Sequence, residues 1–557
     1  MLWIRTLCLT VLVMNPGCHK ENTDLLLFNG KIYTVNDAGD VAGAMAIRSG
    51  RIVAVGDASD LKGKYHAAEE IDLRGKAVFP GFIDSHCHFY NYGLTLQQAD
   101  LAGSVSQREI GGRLMDHYRK MPASWILGRG WDQNDWADKH FPHREFLDSL
   151  FPDLPVYLVR IDGHAAWVNS RTLKMAGIHA GMASEGGKIL FDSHGATGIL
   201  IDNAMSLVEK LIPLPGREEK IRALLSAQAN CFAVGLTTVC DAGLDREIVL
   251  LVDSLQKQGM LSIRMYAMLN PSGENISGFM DKGPYITDRL SVRSIKLFAD
   301  GALGSGGALM KKPYADDPVS SGIQITPAKF LSEMCRLAYM KGYQVNTHCI
   351  GDSAVSLMLH LYSSILPGNN DLRWRIEHAQ VVDPQDLGLF RQYNIIPSVQ
   401  TTHATSDMYW AEDRLGNNRI AFAYAYRSLL AQNEWLANGS DFPVESLNPV
   451  FGFYAAVARK DLKGYPKDGF RKEEALNRIQ ALKAMTIWAA KACFEEKEKG
   501  SLEPGKIADF VILDRDIMTA GEDSIPGTKV LGTYVGGKEM QKEDALKASL
   551  REKKKHE

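Results

Sequence analysis

Two imidazoles one residue apart close an apolar run: Ala77-Val78-Phe79-Pro80-Gly81-Phe82-Ile83-Asp84 leads through Ser85 into His86-Cys87-His88. Residues i and i+2 of a strand point to the same side, so the two rings can share a metal ion. A half-buried polar strand end would give the same pair, and the surroundings must decide. They supply four further candidate ligands, each at or near the end of an apolar run. These are Lys296 in Ser294-Ile295-Lys296-Leu297-Phe298-Ala299-Asp300, His348 in Gln344-Val345-Asn346-Thr347-His348, His378 in Trp374-Arg375-Ile376-Glu377-His378, and Asp441 in Ala437-Asn438-Gly439-Ser440-Asp441. Neutral imidazoles with a carboxylate suit a borderline cation such as zinc, one or two ions, whereas an all-oxygen set would favour magnesium or calcium. Lys296 is the awkward member, because an ammonium has no lone pair to donate. Its ordinary alternative is an ion pair, with Asp300.

Eight strand-like runs lie near 77–84, 236–241, 261–268, 293–298, 343–348, 373–378, 395–400 and 434–440, mostly separated by helix-length segments. That is the pattern of an α/β chain folded as a (β/α)8 barrel of the TIM type, with catalytic groups at the carboxyl ends of the strands. All six candidates fall at such ends, Lys296 a little earlier in its run. The barrel is expected over 76–494, with an insertion at 95–232 too long for one crossover. Short alternating runs at 24–75, with Ser49-Gly50 as a hairpin turn, and again at 495–547, with Gly536-Gly537 as another, are expected to pair into a small β-sandwich built from both chain ends.

On these residues the chain resembles the amidohydrolase superfamily, whose barrels carry His-x-His after strand one, a lysine on strand four, single histidines after strands five and six, and an aspartate after strand eight. More narrowly, Ile295 to Ser305, His348-Cys349-Ile350-Gly351-Asp352, Arg375 to His378 and Gly439 to Glu445 resemble the amidohydrolase family 3 branch, which includes N-substituted formamide deformylases. The resemblance implies that His86, His88 and Asp441 hold one ion and His348 and His378 a second, bridged by Lys296 carboxylated on its side-chain nitrogen (N6). It also implies hydrolysis of a small-molecule amide or formamide at a carbon–nitrogen bond other than a peptide bond, with Asp441 as general base and then general acid. Within the insertion, Gly130-Trp131-Asp132, Asp162-Gly163-His164 and Gly195-Ala196-Thr197-Gly198 carry the same likeness. Trp131, His164 and, after strand seven, His403 are therefore candidate substrate contacts. A structural hydrogen-bonding role for His164 and a core role for Trp131 stay open.

The residues around these ligands fit supporting roles. Asp352 and Glu377 are placed to orient imidazoles through their other ring nitrogens, although Glu377 can equally face the barrel wall in an ion pair. A bound cation lowers the pKa of water from 15.7 towards ~7, which makes hydroxide available at neutral pH. The same site suits cyclic imides, ureas or esters, and a catalytically inactive metal-bearing binding protein is the alternative of another class. Ser440 and Ser305 do not lie in a G-x-S-x-G elbow, which sets a serine hydrolase aside.

With 557 residues, 45% hydrophobic and 23% charged, the chain can bury a large core. A formal charge of −3 without a basic stripe gives no case for nucleic acid. The start, Met1 to Arg5 followed by the apolar stretch Thr6 to Met14, fits a signal peptide over 1–18 and an exported protein of the cell envelope, periplasmic or membrane-tethered. Cys18, after Asn15-Pro16-Gly17, resembles a lipoprotein cleavage site, which would add a lipid anchor; simple cleavage is the alternative. The six later cysteines form no CxxC pair, and Cys87 is expected to point away from the metal face as a packing residue. The tail 548–557 is charged and solvated. A homodimer is the default oligomer.

Overall fold

The computed structural model describes residues 20–161, 163, 165–184 and 187–540. The expected signal peptide with Cys18, the charged tail and His164 lie outside the described residues.

Eight strands pair in parallel, in chain order: β1 (Phe82–Cys87), β2 (Leu236–Leu244), β3 (Arg264–Leu269), β4 (Leu290–Phe298), β5 (Gln344–Cys349), β6 (Arg375–His378), β7 (Ile396–Val399) and β8 (Ala437–Asn438). Almost every residue in them is buried. Strands covered on both faces read as continuous apolar runs instead of alternating ones, which is why all eight stand out in the sequence. The ring closes between the ends of β8 and β1, where the Asp441 N–H donates to His86 O at 2.8 Å and the Ser440 N–H to Asp84 Oδ1 at 3.1 Å. The barrel expectation holds.

The run 77–84 is corrected: it is two strands. Ala77–Pro80 belongs to the sheet made by the chain ends, and only from Phe82 does the chain enter the barrel. The break is at Gly81, whose N–H donates to Asp509 O at 2.9 Å. A Cβ there would lie 2.4 Å from the Thr237 side chain, so only glycine passes. The two chain ends share one eight-stranded sheet, in which Ala77–Pro80 pairs antiparallel with Phe510–Leu513 and parallel with Glu21–Tyr33. Both expected hairpin turns are present, with positive φ at Ser49, Gly50, Gly536 and Gly537, as two-residue type I′ turns require.

The inserted segment forms a second compact unit, residues 88–229 with 250–261. It has its own six-stranded sheet, ordered Gly187–Asp192, Gly195–Asp202, Ala165–Val168, Val156–Arg160, Ile126–Trp131, Ala99–Asp100. Trp131, Trp136 and Trp167 form its aromatic core, and Trp131 Nε1 donates to Leu158 O at 2.8 Å. Trp131 is therefore corrected from substrate contact to core: the ring is fully buried and its one polar atom is satisfied by backbone. No helix among the described residues is long and apolar enough to cross a membrane.

Candidate metal centre

Strand β1 delivers His86 into the barrel fully buried, and His88 follows the strand directly. His86 Nδ1 lies 2.6 Å from Glu377 Oε2, across the barrel on β6. Burial alone would raise the Glu377 pKa, but the His86 contact and the positive charges of Arg375 and Lys296 prevail and hold it at about 2. Burial, then the Lys296 charge, lowers the His86 pKa. A neutral His86 that donates Nδ1–H to an anionic Glu377 has its lone pair on Nε2, facing the strand ends. Asp441 Oδ1 lies 3.4 Å from that Nε2. His86, His88 and Asp441 each bring one ligand atom into a group whose members all lie within 4.8 Å of one another.

The other candidates gather at the same rim. Lys296 Nζ is 3.2 Å from His86 Nε2, with its pKa lowered first by burial. The rings of His378 and His86 are 5.0 Å apart between centroids, and those of His378 and His348 4.5 Å. His378 Nδ1 contacts Gln400 Oε1 at 2.7 Å, which makes Nδ1 its protonated nitrogen and turns the Nε2 lone pair outward. Burial, then Lys296, lowers the His348 pKa to about 3, and burial, then His348, lowers that of His378. All three rings are neutral donors at pH 7. His403 stacks on His378 at 5.8 Å, and its Nε2 is 3.8 Å from Asp441 Oδ2. His378 and Asp441 both take left-handed backbone angles, φ 72° and 62°. Such angles in residues other than glycine are uncommon and cluster where surrounding structure fixes a functional geometry.

The residues that support the ligands are partly unforeseen. Glu377 places Oε2 2.6 Å from His86 Nδ1 while its Oε1 lies 3.7 Å from Arg375. Asp352 is corrected: it accepts the Lys311 N–H at 2.7 Å, and the carboxylate beside His348 Nε2 is Asp300, at 3.7 Å. Asp300 is no partner for Lys296 either. It accepts the N–H groups of Leu309, Ile350 and Gly351 at 2.9, 3.0 and 2.7 Å, bracing the loop after β5, and burial pushes its pKa up to about 7. Gln400 and Asp84 had no role assigned from sequence. Asp84 accepts the His86 N–H at 3.1 Å and the Ser440 hydroxyl at 2.6 Å, so one carboxylate fixes both ligand-bearing ends of the ring. Polarity at a barrel-strand end was the only sequence signal for either residue. Cys87 turns its Sγ to Cys240 O at 3.4 Å, in the packing role expected.

The donor set fits a divalent cation: His86 and His378 have their second nitrogens engaged by Glu377 and Gln400, and the Asp441 carboxylate lies beside His86. Gly439 lets this happen. A Cβ there would meet His86 N at 2.5 Å and Asp84 Oδ1 at 2.7 Å. Gly439→Ala is expected to push β8 from β1 and abolish stoichiometric metal binding, read by elemental analysis of the purified variant; full metal occupancy would show that the ring yields at this point.

Comparison with known proteins agrees with this geometry. The family model described as "Amidohydrolase family" matches residues 69–541. Protein LONG AFTER FAR-RED 3 of Arabidopsis thaliana is 36% identical over 93% of this chain and 91% of its own. The N-substituted formamide deformylase of Arthrobacter pascens is 26% identical over 92% and 97%. The crystal structure of an uncharacterized metal-dependent hydrolase from Pyrococcus horikoshii superposes with a TM-score of 0.75 at 29% identity, covering 89% of this chain and 99% of that one. A parallel barrel with two histidines at the end of its first strand and an aspartate after its eighth, matched over most of its length, belongs to the metal-dependent amidohydrolase family.

Proposed function

We propose that this protein hydrolyses a carbon–nitrogen bond other than a peptide bond, in a small-molecule amide or formamide. The observation that carries the proposal is the convergence of His86, His88 and Asp441, with the tautomer of His86 set by Glu377. His86, His88 and Asp441 would hold one zinc ion and His348 and His378 a second, with N6-carboxylated Lys296 between them. When bound, a divalent cation supplies Lewis acidity and a water of lowered pKa. Asp441 accepts the proton of the attacking water and returns it to the departing nitrogen, which leaves as an amine instead of an amide anion. His403, 3.8 Å from Asp441 Oδ2, is placed to orient that carboxylate and to meet substrate beside it. The name of the Arthrobacter relative supports the choice of formamides.

The test is elemental analysis of the purified chain followed by a panel of N-formyl amines, N-acyl amines, cyclic imides and esters. Bound zinc and release of amine with formate from the formamides is the expected result. A zinc-loaded protein inert on the whole panel would overturn hydrolysis in favour of binding, and turnover confined to imides or esters would overturn the bond class.

A further inference from the structure

A cavity lies away from the metal centre, at the amino-terminal ends of β3 and β4. Its volume is about 840 Å³, within the range of small-molecule pockets. It is lined by Arg264, Arg289 and Arg293 and by the Ser49-Gly50 and Gly536-Gly537 turns of the end-to-end sheet. Most charges here are matched. Arg264 takes Asp509 at 2.6 Å, Arg51 takes Glu498 at 2.9 Å, Lys499 takes Glu495 at 2.6 Å, and Asp24 accepts the Ser49 N–H at 2.5 Å.

Arg293 is not matched in this way. Among the described residues no carboxylate lies within ion-pair distance of it, and its Nε is buried without a hydrogen-bond partner. Its guanidinium is nevertheless held in place, with Cζ 3.6 Å from the centroid of the Phe494 ring. That ring is itself fixed. Phe494 takes a left-handed φ of 62° just beyond the helix Ile487–Ala492, and Arg373, anchored by Asp371 and Glu496, also lies over the ring, at 4.4 Å. Nearby, burial and the charge of Arg264 lower the Arg289 pKa, a crowding of like charge that a bound anion would relieve. Asp288 also lines the cavity and tempers that charge.

We propose that this cavity is a second ligand site, for a small molecule whose phosphate or carboxylate group presents two oxygens to the Arg293 guanidinium. A planar fork held against an aromatic face is suited to such an oxyanion. The ligand enters at the end of the barrel opposite the metal centre and takes no part in the hydrolysis.

The experiment is calorimetric titration of the full, metal-loaded chain with inorganic phosphate, pyrophosphate and citrate, against sodium chloride at equal ionic strength. Saturable binding of at least one of the three is expected, and which one binds separates a phosphate ligand from a carboxylate one. Arg293→Gln should weaken binding roughly tenfold or more, as loss of a charge-assisted pair implies. Metal content and turnover should stay unchanged. Arg293→Lys keeps the charge but loses the fork, so it should also weaken binding; it serves as the second variant if the glutamine protein does not fold. Heat effects no different from sodium chloride for all three anions, or undiminished affinity in Arg293→Lys, would overturn the site.

Discussion

Asp441→Asn is expected to keep most of its bound metal and lose turnover by roughly 10²–10⁴-fold, the contribution of a positioned general acid–base. Asparagine preserves the shape of the side chain and one oxygen beside His86 Nε2, where Asp441 Oδ1 now lies at 3.4 Å. The backbone bond from residue 441 to His86 O is untouched. What disappears is an oxygen able to hold a proton between water and leaving group. Parallel measurements of kcat on a formamide and of zinc per chain separate the two roles, and undiminished kcat would remove Asp441 from proton transfer.

Glu377→Gln should be nearly as damaging by another route. The residue is fully buried between His86 Nδ1 and Arg375. The amide keeps the shape but removes the anion that fixes the His86 tautomer, and loss of such a partner typically lowers metal affinity 10–100-fold. It also leaves Arg375, fully buried, without its carboxylate. Breaking a buried pair from one side costs about 3–5 kcal/mol. Zinc competition with a chelator and thermal unfolding of the metal-free protein read these effects separately. Wild-type values in both would mean that the Glu377 contact governs neither.

The eight barrel strands and the six residues gathered at their carboxyl ends were legible because strands buried on both faces leave uninterrupted apolar runs, each ending where polarity begins. The same signal failed at 77–84, where two strands follow one another with only Gly81 between them and no polar residue marks the change of sheet. In the inserted unit no strand was assigned from sequence: Ala99–Asp100 and Ala165–Val168 are short, and Gly187–Asp192 is mostly exposed. Trp131 looked like a pocket wall because an aromatic ring carries no mark of whether its neighbours are substrate or Trp136 and Trp167. Asp300 and Asp352 both neighbour His348 along or across the sheet, and only the folded loop shows that Asp300 takes the place beside the ring. Asp84 was hidden for a plainer reason: its partner Ser440 is 356 positions away.

That separation has a consequence for biosynthesis. The first histidines leave the ribosome long before Asp441 does, and Asp84 cannot fasten the opening strand until the final one has been made. Metal capture by the complete site would therefore be a late event of maturation, and a chain cut short anywhere before residue 441 would leave those histidines without the Asp441 carboxylate.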